Sequence, residues 1–248
     1  MVEGCHRLGM PECQWNDLTR YRLCFGIIVT MRLQVELWLL LVLTPICLIA
    51  QTSGPGASVS FTLDFTGANP SHYEIAVHDD GQGSYSSNGQ LNQDSEPADP
   101  APLQFTLSPN VRQQVFELAE RAKYFTGKVD SGRKNIANSG AKTLAYKDEH
   151  NSSQATYNYS PLAPVQQLTS IFEGLSATLE FGRRLDYFHK YQKLALDQDL
   201  KRMEEMQRDH NLGDVRAIAP VLNAIANDSS VINVTRARAL RLLAAAGK

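Results

Sequence analysis

The stretch VQQLTSIFEGLSATLEFGRRLDYFHKYQKLALDQDLKRMEEMQRDHNL, Val165 to Leu212, decides how the rest of the chain is read. It follows Pro164, contains no further proline, and keeps an apolar residue at every third or fourth place. Proline suits the first turn of a helix, where its missing N–H costs nothing. Val165, Leu168, Phe172, Leu175 and Leu179 then step by three and four, which puts them on one face. The spacing predicts one helix, or two nearly continuous ones, joining an α+β half to a helical tail. Gly174 and Gly182 each cost about 1 kcal/mol relative to alanine inside a helix. Each therefore marks a bend or a close contact with a neighbour.

After Gly182 the character changes. Acids stand four residues before bases at Asp186 and Lys190, Asp197 and Lys201, and Glu204 and Arg208. That order supports a solvated helix by about 0.2–0.5 kcal/mol per pair. Leu185, Phe188, Leu196, Leu200 and Met203 hold the other face. This face either packs on its own chain or offers a seam, within 183–212, to another envelope protein or a second copy. The stripe is short and irregular for a coiled coil, which favours self-packing. Leu212-Gly213 reads as the glycine-capped end of the helix.

A chain of 248 residues supports one or two domains with real cores. A net charge of −2 is no nucleic-acid footprint, and no nucleic-acid partner is expected. All four cysteines, Cys5, Cys13, Cys24 and Cys47, precede residue 50, so the body carries no disulfide framework, thiolate nucleophile or cysteine metal site. Met31-Arg32, the run Leu37 to Leu43 and the small residue Ala50 have the shape of a secretory signal, with cleavage between Ala50 and Gln51. The alternative is an uncleaved transmembrane anchor over 31–50, associating the protein with a membrane. Residues 1–30 show no period and are expected to be an over-extended or disordered N-terminus. The protein is expected to be periplasmic or secreted, or else anchored at the inner membrane.

Residues 51–57 read as a linker. Val59, Phe61, Leu63 and Phe65 alternate with polar residues and predict a half-buried strand. Asn69-Pro70 turns the chain. Tyr73, Ile75 and Val77 give a second strand, Asp79-Asp80-Gly81 a tight turn, and Tyr85 the return strand. Residues 86–102 have few apolar side chains and are expected to form a mobile loop. Leu103, Phe105 and Leu107 lead to Ser108-Pro109, a helix start, with Val111, Val115, Leu118 and Ala122 on one face and Gly127 as cap. Leu144 and Tyr146 pair with Tyr157 and Tyr159 in a second hairpin, connected through Lys147 to Gln154. Strand, strand, strand, helix, strand, strand, helix makes an α+β layer over 58–182, antiparallel hairpins with helices on one face. A charged helical extension and a C-terminal helical hairpin around Asn227-Asp228-Ser229-Ser230 fill 183–248. Arg236, Arg238 and Arg241 on its last stretch suit either a solvated face or an anionic membrane surface.

Few residues suggest chemistry. His78-Asp79-Asp80 could bind a metal or serve as an acid/base set, but the same residues open a glycine turn, where aspartate bonds its own backbone. Tyr146, Tyr157 and Tyr159 could present an aromatic surface to a sugar or peptide, or simply pair across strands. Neither a phosphate loop nor a dinucleotide fingerprint occurs, and Asp130-Ser131-Gly132 lacks the setting of a nucleophile elbow. No cofactor and no metal are expected.

The alternating strand and glycine-turn hairpin from Phe61 to Tyr85, Phe116-Glu117-Leu118-Ala119 with Tyr124-Phe125, the hairpin from Leu144 to Tyr159 and the helix from Val165 together resemble an uncharacterised family of bacterial envelope domains. The resemblance covers about residues 58–180 and implies the fold and an envelope location, but no activity. The expectation is an exported, non-enzymatic binding or scaffolding module. Alternatives are an envelope hydrolase, metal-dependent or acid/base, built on His78, Asp79 and Asp80, and a membrane-anchored protein with an uncleaved N-terminal helix.

Overall fold

A computed structural model describes residues 56–92 and 102–246. By its contacts the chain separates into Met1–Thr52 and Ser53–Lys248, and every described residue belongs to the second unit. The signal or anchor segment 31–50, its cleavage site at Ala50 and Gln51, and residues 93–101 of the expected loop lie outside the described residues. Among the described residues no helix is long and apolar enough to cross a membrane.

The fold is α+β. Strands β1 (Ser58–Asp64), β2 (His72–His78), β3 (Gln82–Ser87), β4 (Leu103–Thr106), β5 (Ala141–Lys147) and β6 (Ser152–Tyr157) form one antiparallel sheet in the order β4-β3-β2-β1-β5-β6. The period-two pattern sets its register. Val59, Phe61 and Leu63 pair with Val77, Ile75 and Tyr73 on one side and with Tyr146, Leu144 and Lys142 on the other. All of these face the helices and are buried. The other face is rich in Ser, Thr and Ala and half-buried to exposed, as one-sided antiparallel sheets permit. The fourth strand, β4, is a finding: Leu103 and Phe105, which the sequence offers only as a lead into the helix at Ser108-Pro109, pair with β3. The second hairpin is tighter than the sequence suggests, connecting through Asp148 to Asn151, and Tyr159 lies beyond β6.

Helix α1 (Pro109–Arg121) crosses from the β4 edge, and α2 (Ala163–Tyr191) lies along the sheet, with Phe172 stacked on Phe61 at 5.3 Å. Gly127 does not cap α1. Ala122 does, and Lys123, Tyr124 and Phe125 then turn through left-handed backbone with φ of 52°, 51° and 63°. Such a conformation costs about 1–2 kcal/mol per residue. Burial of Phe125, the Tyr124 ring 4.4 Å from that of Tyr146, and a hydrogen bond from Ser153 Oγ to the Tyr124 carbonyl hold it in place.

Helix α2 passes both of its glycines unbroken, so they serve close contact and not bending. A Cβ on Gly174 would meet the Gly213 nitrogen at 3.0 Å, and one on Gly182 would meet Ile218 at 2.5 Å. At Gln192 (φ −143°, ψ 58°) the helix ends, and after a 3-10 turn (Lys193–Ala195) α3 (Leu196–Arg208) runs back along α2. Arg184 meets Asp199 at 2.9 Å, and the Gly213 N–H donates to the Gly174 carbonyl at 2.8 Å. The long helix is therefore a helical hairpin. Folding back buries Leu196, Leu200 and Met203 completely on the chain's own core, which settles that stripe as self-packing.

The end of α3 also corrects the sequence reading. His210, at φ 57°, is the left-handed residue, with Asn211 N–H bonded to the Met206 carbonyl and His210 N–H to that of Gln207. This is a Schellman cap. Gly213 instead permits the close approach to α2. A 3-10 turn (Val215–Ile218) leads to α4 (Ala219–Asn227) and α5 (Asn233–Ala246), the expected helical hairpin, packed on α2 and α3.

Of the three local acid–base pairs only Asp186–Lys190 closes, at 2.6 Å. Asp197 and Glu204 turn to α5 instead: Arg238 reaches both, and Arg241 meets Glu204 at 2.9 Å. Arg236 donates to the Ala226 carbonyl at the end of α4. The three arginines of the last helix therefore staple the tail together.

Candidate functional site

His78, Asp79 and Asp80 are exposed at the β2–β3 turn. Asp79 accepts from the Ala57 N–H and Asp80 from the Gln82 N–H at 2.8 Å, while the His78 carbonyl closes the turn onto Gly81. Their geometry is that of turn chemistry, and among the described residues no three His, Cys, Asp or Glu side chains are arranged to hold a metal. The three tyrosines do not share a surface. Tyr146 is buried with its hydroxyl on Asp148 at 3.0 Å, and its acidity is weakened by burial to a pKa of about 12. Tyr157 is buried with its hydroxyl 2.6 Å from Thr169, and is likewise pushed up by burial to about 12. Tyr159 alone is exposed, and its hydroxyl accepts from Gln166 at 3.1 Å.

A second polar feature lies between the sheet and α2. Thr169, Glu173, Ser176, Glu180 and Arg183 step along α2 by four and three, beside the apolar stripe. That spacing was available in the sequence and passes unnoticed because the apolar stripe dominates it. Glu180, 6% exposed, accepts from Tyr85 Oη at 2.7 Å, from Ser87 Oγ and from Arg183 Nη1 at 2.8 Å. Its other oxygen lies so near Gly89 that a Cβ there would sit 2.6 Å away. Burial raises the pKa of both Tyr73 and Tyr85. Further along, Glu173 lines a cleft of about 270 Å³. Desolvation raises its pKa and lowers that of Lys142, with each charge partly opposing the other's shift.

Lys142, 5% exposed, donates to the Ser139 carbonyl at 3.0 Å and to Ser139 Oγ at 2.9 Å. A serine beside a desolvated lysine is one form of activated nucleophile. Acyl transfer also needs backbone donors for the oxyanion. Here the Ser139 and Gly140 N–H groups are already spent on Asn158 and Asn138. The lysine is satisfied by its loop. Among the described residues every buried side-chain nitrogen and oxygen has a partner.

The outer surface differs. Where α1 lies against α2 the chain forms a groove in two lobes, of about 530 and 600 Å³, that meet at Gln114, Ser170 and Ile171. Val111, Leu118 and Ile171 give it an apolar floor. Asn110, Gln114, Gln167 and Gln207 line it, and none of their carboxamides is bonded within the protein among the described residues. One end is marked by Glu117 and Arg121, with Tyr159 held nearby through Gln166, and the other by His210 and Arg216. Asp214 closes the corner of that second end, accepting from Ser108 N–H at 2.6 Å and from Arg216 N–H at 3.1 Å. The groove's lining comes from positions too far apart in sequence to form a motif. No protein-family model matches the chain, and no curated protein matches its sequence.

Proposed function

We propose that the chain is an exported, non-enzymatic binding module that takes an extended polypeptide segment of an envelope partner into the α1–α2 groove. The observation that carries this reading is the row of unbonded carboxamides above an apolar floor. A carboxamide offers a donor and an acceptor together, the same pair that each peptide group of an extended strand presents. The floor supplies contact for alternate side chains of such a segment, and an elongated site suits a chain rising about 3.3 Å per residue. The apolar run Leu37 to Leu43 and the cysteine-free body support export.

The test pans a random peptide library on the purified full chain and measures the selected peptides by fluorescence polarisation. Ser170, exposed where the lobes meet, is replaced by tryptophan to fill the groove. Binding is expected to weaken at least about tenfold in Ser170→Trp and to be unchanged in Gln154→Trp on the opposite face of the sheet. Peptides indifferent to Ser170→Trp would sink the groove. Turnover of a hydrolase substrate panel, lost in His78→Ala, would overturn the non-enzymatic reading. Fractionation with intact mass then tests export: a soluble species starting at Gln51 supports it, and a membrane-bound species retaining Met31 replaces export with anchoring.

A further inference from the structure

The polar stripe of α2 lies over a row of the sheet. Tyr157, Lys142, Leu63, Tyr73 and Ser87 stand side by side across β6, β5, β1, β2 and β3. Tyr157 bonds Thr169, Lys142 bonds Ser139, and Ser87 bonds Glu180 and Arg183. Glu173 belongs to the same stripe and is near enough to bear electrostatically on Lys142, Tyr73 and Tyr157. It is hydrogen-bonded to none of them, nor to any other described residue. Glu173 instead lines the cleft of about 270 Å³. Helix α3 contributes Arg202 to the lining of that cleft, exposed and likewise without a hydrogen bond or ion pair among the described residues. The other charges of the lining are spent, Glu180 on Arg183 at 2.8 Å and Arg184 on Asp199 at 2.9 Å. One cleft thus holds one unpaired carboxylate and one unpaired guanidinium, on two different helices, that do not reach each other.

We propose that this cleft binds a free amino acid, with the ligand's ammonium on Glu173 and its carboxylate on Arg202. The two unpaired charges select the ligand class. A simple anion would answer Arg202 but bring a like charge towards Glu173, and a simple cation would do the reverse at Arg202. Only a molecule carrying both charges answers both. An ammonium brings three donors to a carboxylate, and a guanidinium receives a carboxylate with paired donors, so each end is a charge-assisted bond. The cleft has already removed part of the water around Glu173, as its raised pKa records, which strengthens an ionic bond formed there. Size agrees. The volume lies just below the roughly 300–1,000 Å³ of drug-sized sites, so the occupant is a small molecule. Leu63, Pro70, Phe181 and Met206 make the rest of the lining largely apolar, which suits an apolar side chain on the ligand. No residue lines both this cleft and the α1–α2 groove, so the proposal is independent of the peptide-binding reading.

Isothermal titration calorimetry of the purified full chain with each standard L-amino acid in turn, carried into the millimolar range, tests this directly. Saturable binding is expected, tightest among the apolar members. The tightest binder is then compared with its N-acetyl form, which lacks the ammonium, and with its amide, which lacks the carboxylate. Each is expected to bind at least about tenfold more weakly, as loss of a charge-assisted bond does. Glu173→Gln keeps the side chain's shape, removes its charge and breaks no hydrogen bond, so the variant keeps its fold, which thermal melting verifies. It is expected to weaken binding at least about tenfold, and Arg202→Gln to do the same. Lys201→Gln removes a positive charge from the same helix outside the cleft and is expected to change nothing. A chain that binds none of the amino acids overturns the proposal. Binding that survives both Glu173→Gln and Arg202→Gln also overturns it, because the site then lies elsewhere. An N-acetyl form or an amide that binds as tightly as the free amino acid overturns it too, since one charge then suffices.

Discussion

Glu180 and Glu204 are both glutamates held by arginine, and they show what burial does to such a pair. Glu180 sits between sheet and helix, with Arg183, Tyr85 and Ser87 all directed at the same oxygen. Glu204 sits near the surface of the helical tail and meets Arg238 and Arg241. Near water, an ion pair gains little because each charge was already well solvated. Inside, the charge has lost its water, and each added donor offsets part of that loss. The α+β half therefore surrounds one carboxylate with three donors, while the tail spreads its pairs among several carboxylates. Asp228, nearer the surface, departs from that pattern and gathers donors as Glu180 does: it accepts from Lys193 at 2.7 Å, from His189 at 2.9 Å and from Ser230. Its pKa is held well below the ordinary value, chiefly by the Lys193 bond.

The larger loss of stability is expected at Glu180. Glu180→Ala leaves Arg183 and Tyr85 facing an uncompensated interior and is expected to cost about 3–5 kcal/mol. Urea unfolding followed by circular dichroism measures it, and a loss below about 1 kcal/mol would mean the donors re-solvate. Arg238→Ala removes bonds to Asp197 and Glu204 and is expected to cost about 1 kcal/mol or less. Repeating that measurement at high salt sharpens the contrast. The Arg238 effect should shrink with screening while the Glu180 effect persists.

The smallest effect concerns a carboxylate held mainly by neutral donors. Asp148, in the β5–β6 connection, accepts from Asn151 Nδ2 at 3.1 Å, from the His150 and Asn151 N–H groups and from Tyr146. The Asn151 side chain is the largest cause of a pKa lowered to about 2, and the His150 N–H the next. A depressed carboxyl favours the folded state above its ordinary value of 3.8, and that contribution is lost as pH falls from there towards about 2. Carbon-detected titration should place the midpoint near 2, and Asn151→Ala should move it up. An unshifted midpoint in that variant would mean the backbone donors alone set it.

Much of the architecture was legible because alternation and helical spacing are local. Val59, Phe61 and Leu63 read as a strand without reference to any partner, and Val165 to Leu179 as a helix face. Strand β4 was only half legible: Leu103, Phe105 and Leu107 alternate with Gln104 and Thr106, but the run is short and leads straight into the helix start at Ser108-Pro109. The reversal at Gln192 was silent: no glycine or proline marks it, and the charged helix beyond continues the same spacing. The local acid–base pairs at Asp197 and Glu204 were good sequence inferences overruled by Arg238, whose longer reach closes better bonds from α5. At the site level, the turn chemistry of Asp79 and Asp80 was readable. The polar stripe from Thr169 to Arg183 was present and outweighed by its apolar neighbour. The groove was not readable at all, because α1 and α2 supply its sides from distant stretches.

By itself, then, the sequence determined which residues become strands and helices, which face of each turns inward, and that the body is free of cysteine chemistry. Those properties depend on spacing within a few residues, and backbone geometry converts spacing into faces without further information. Only the tertiary structure decided that α3 folds back, that Gly174 and Gly213 permit one close crossing, that Glu180 is shared by three donors, and that a groove forms between α1 and α2. Each of these depends on which distant faces meet, and that choice is made by the whole core filling its volume at once.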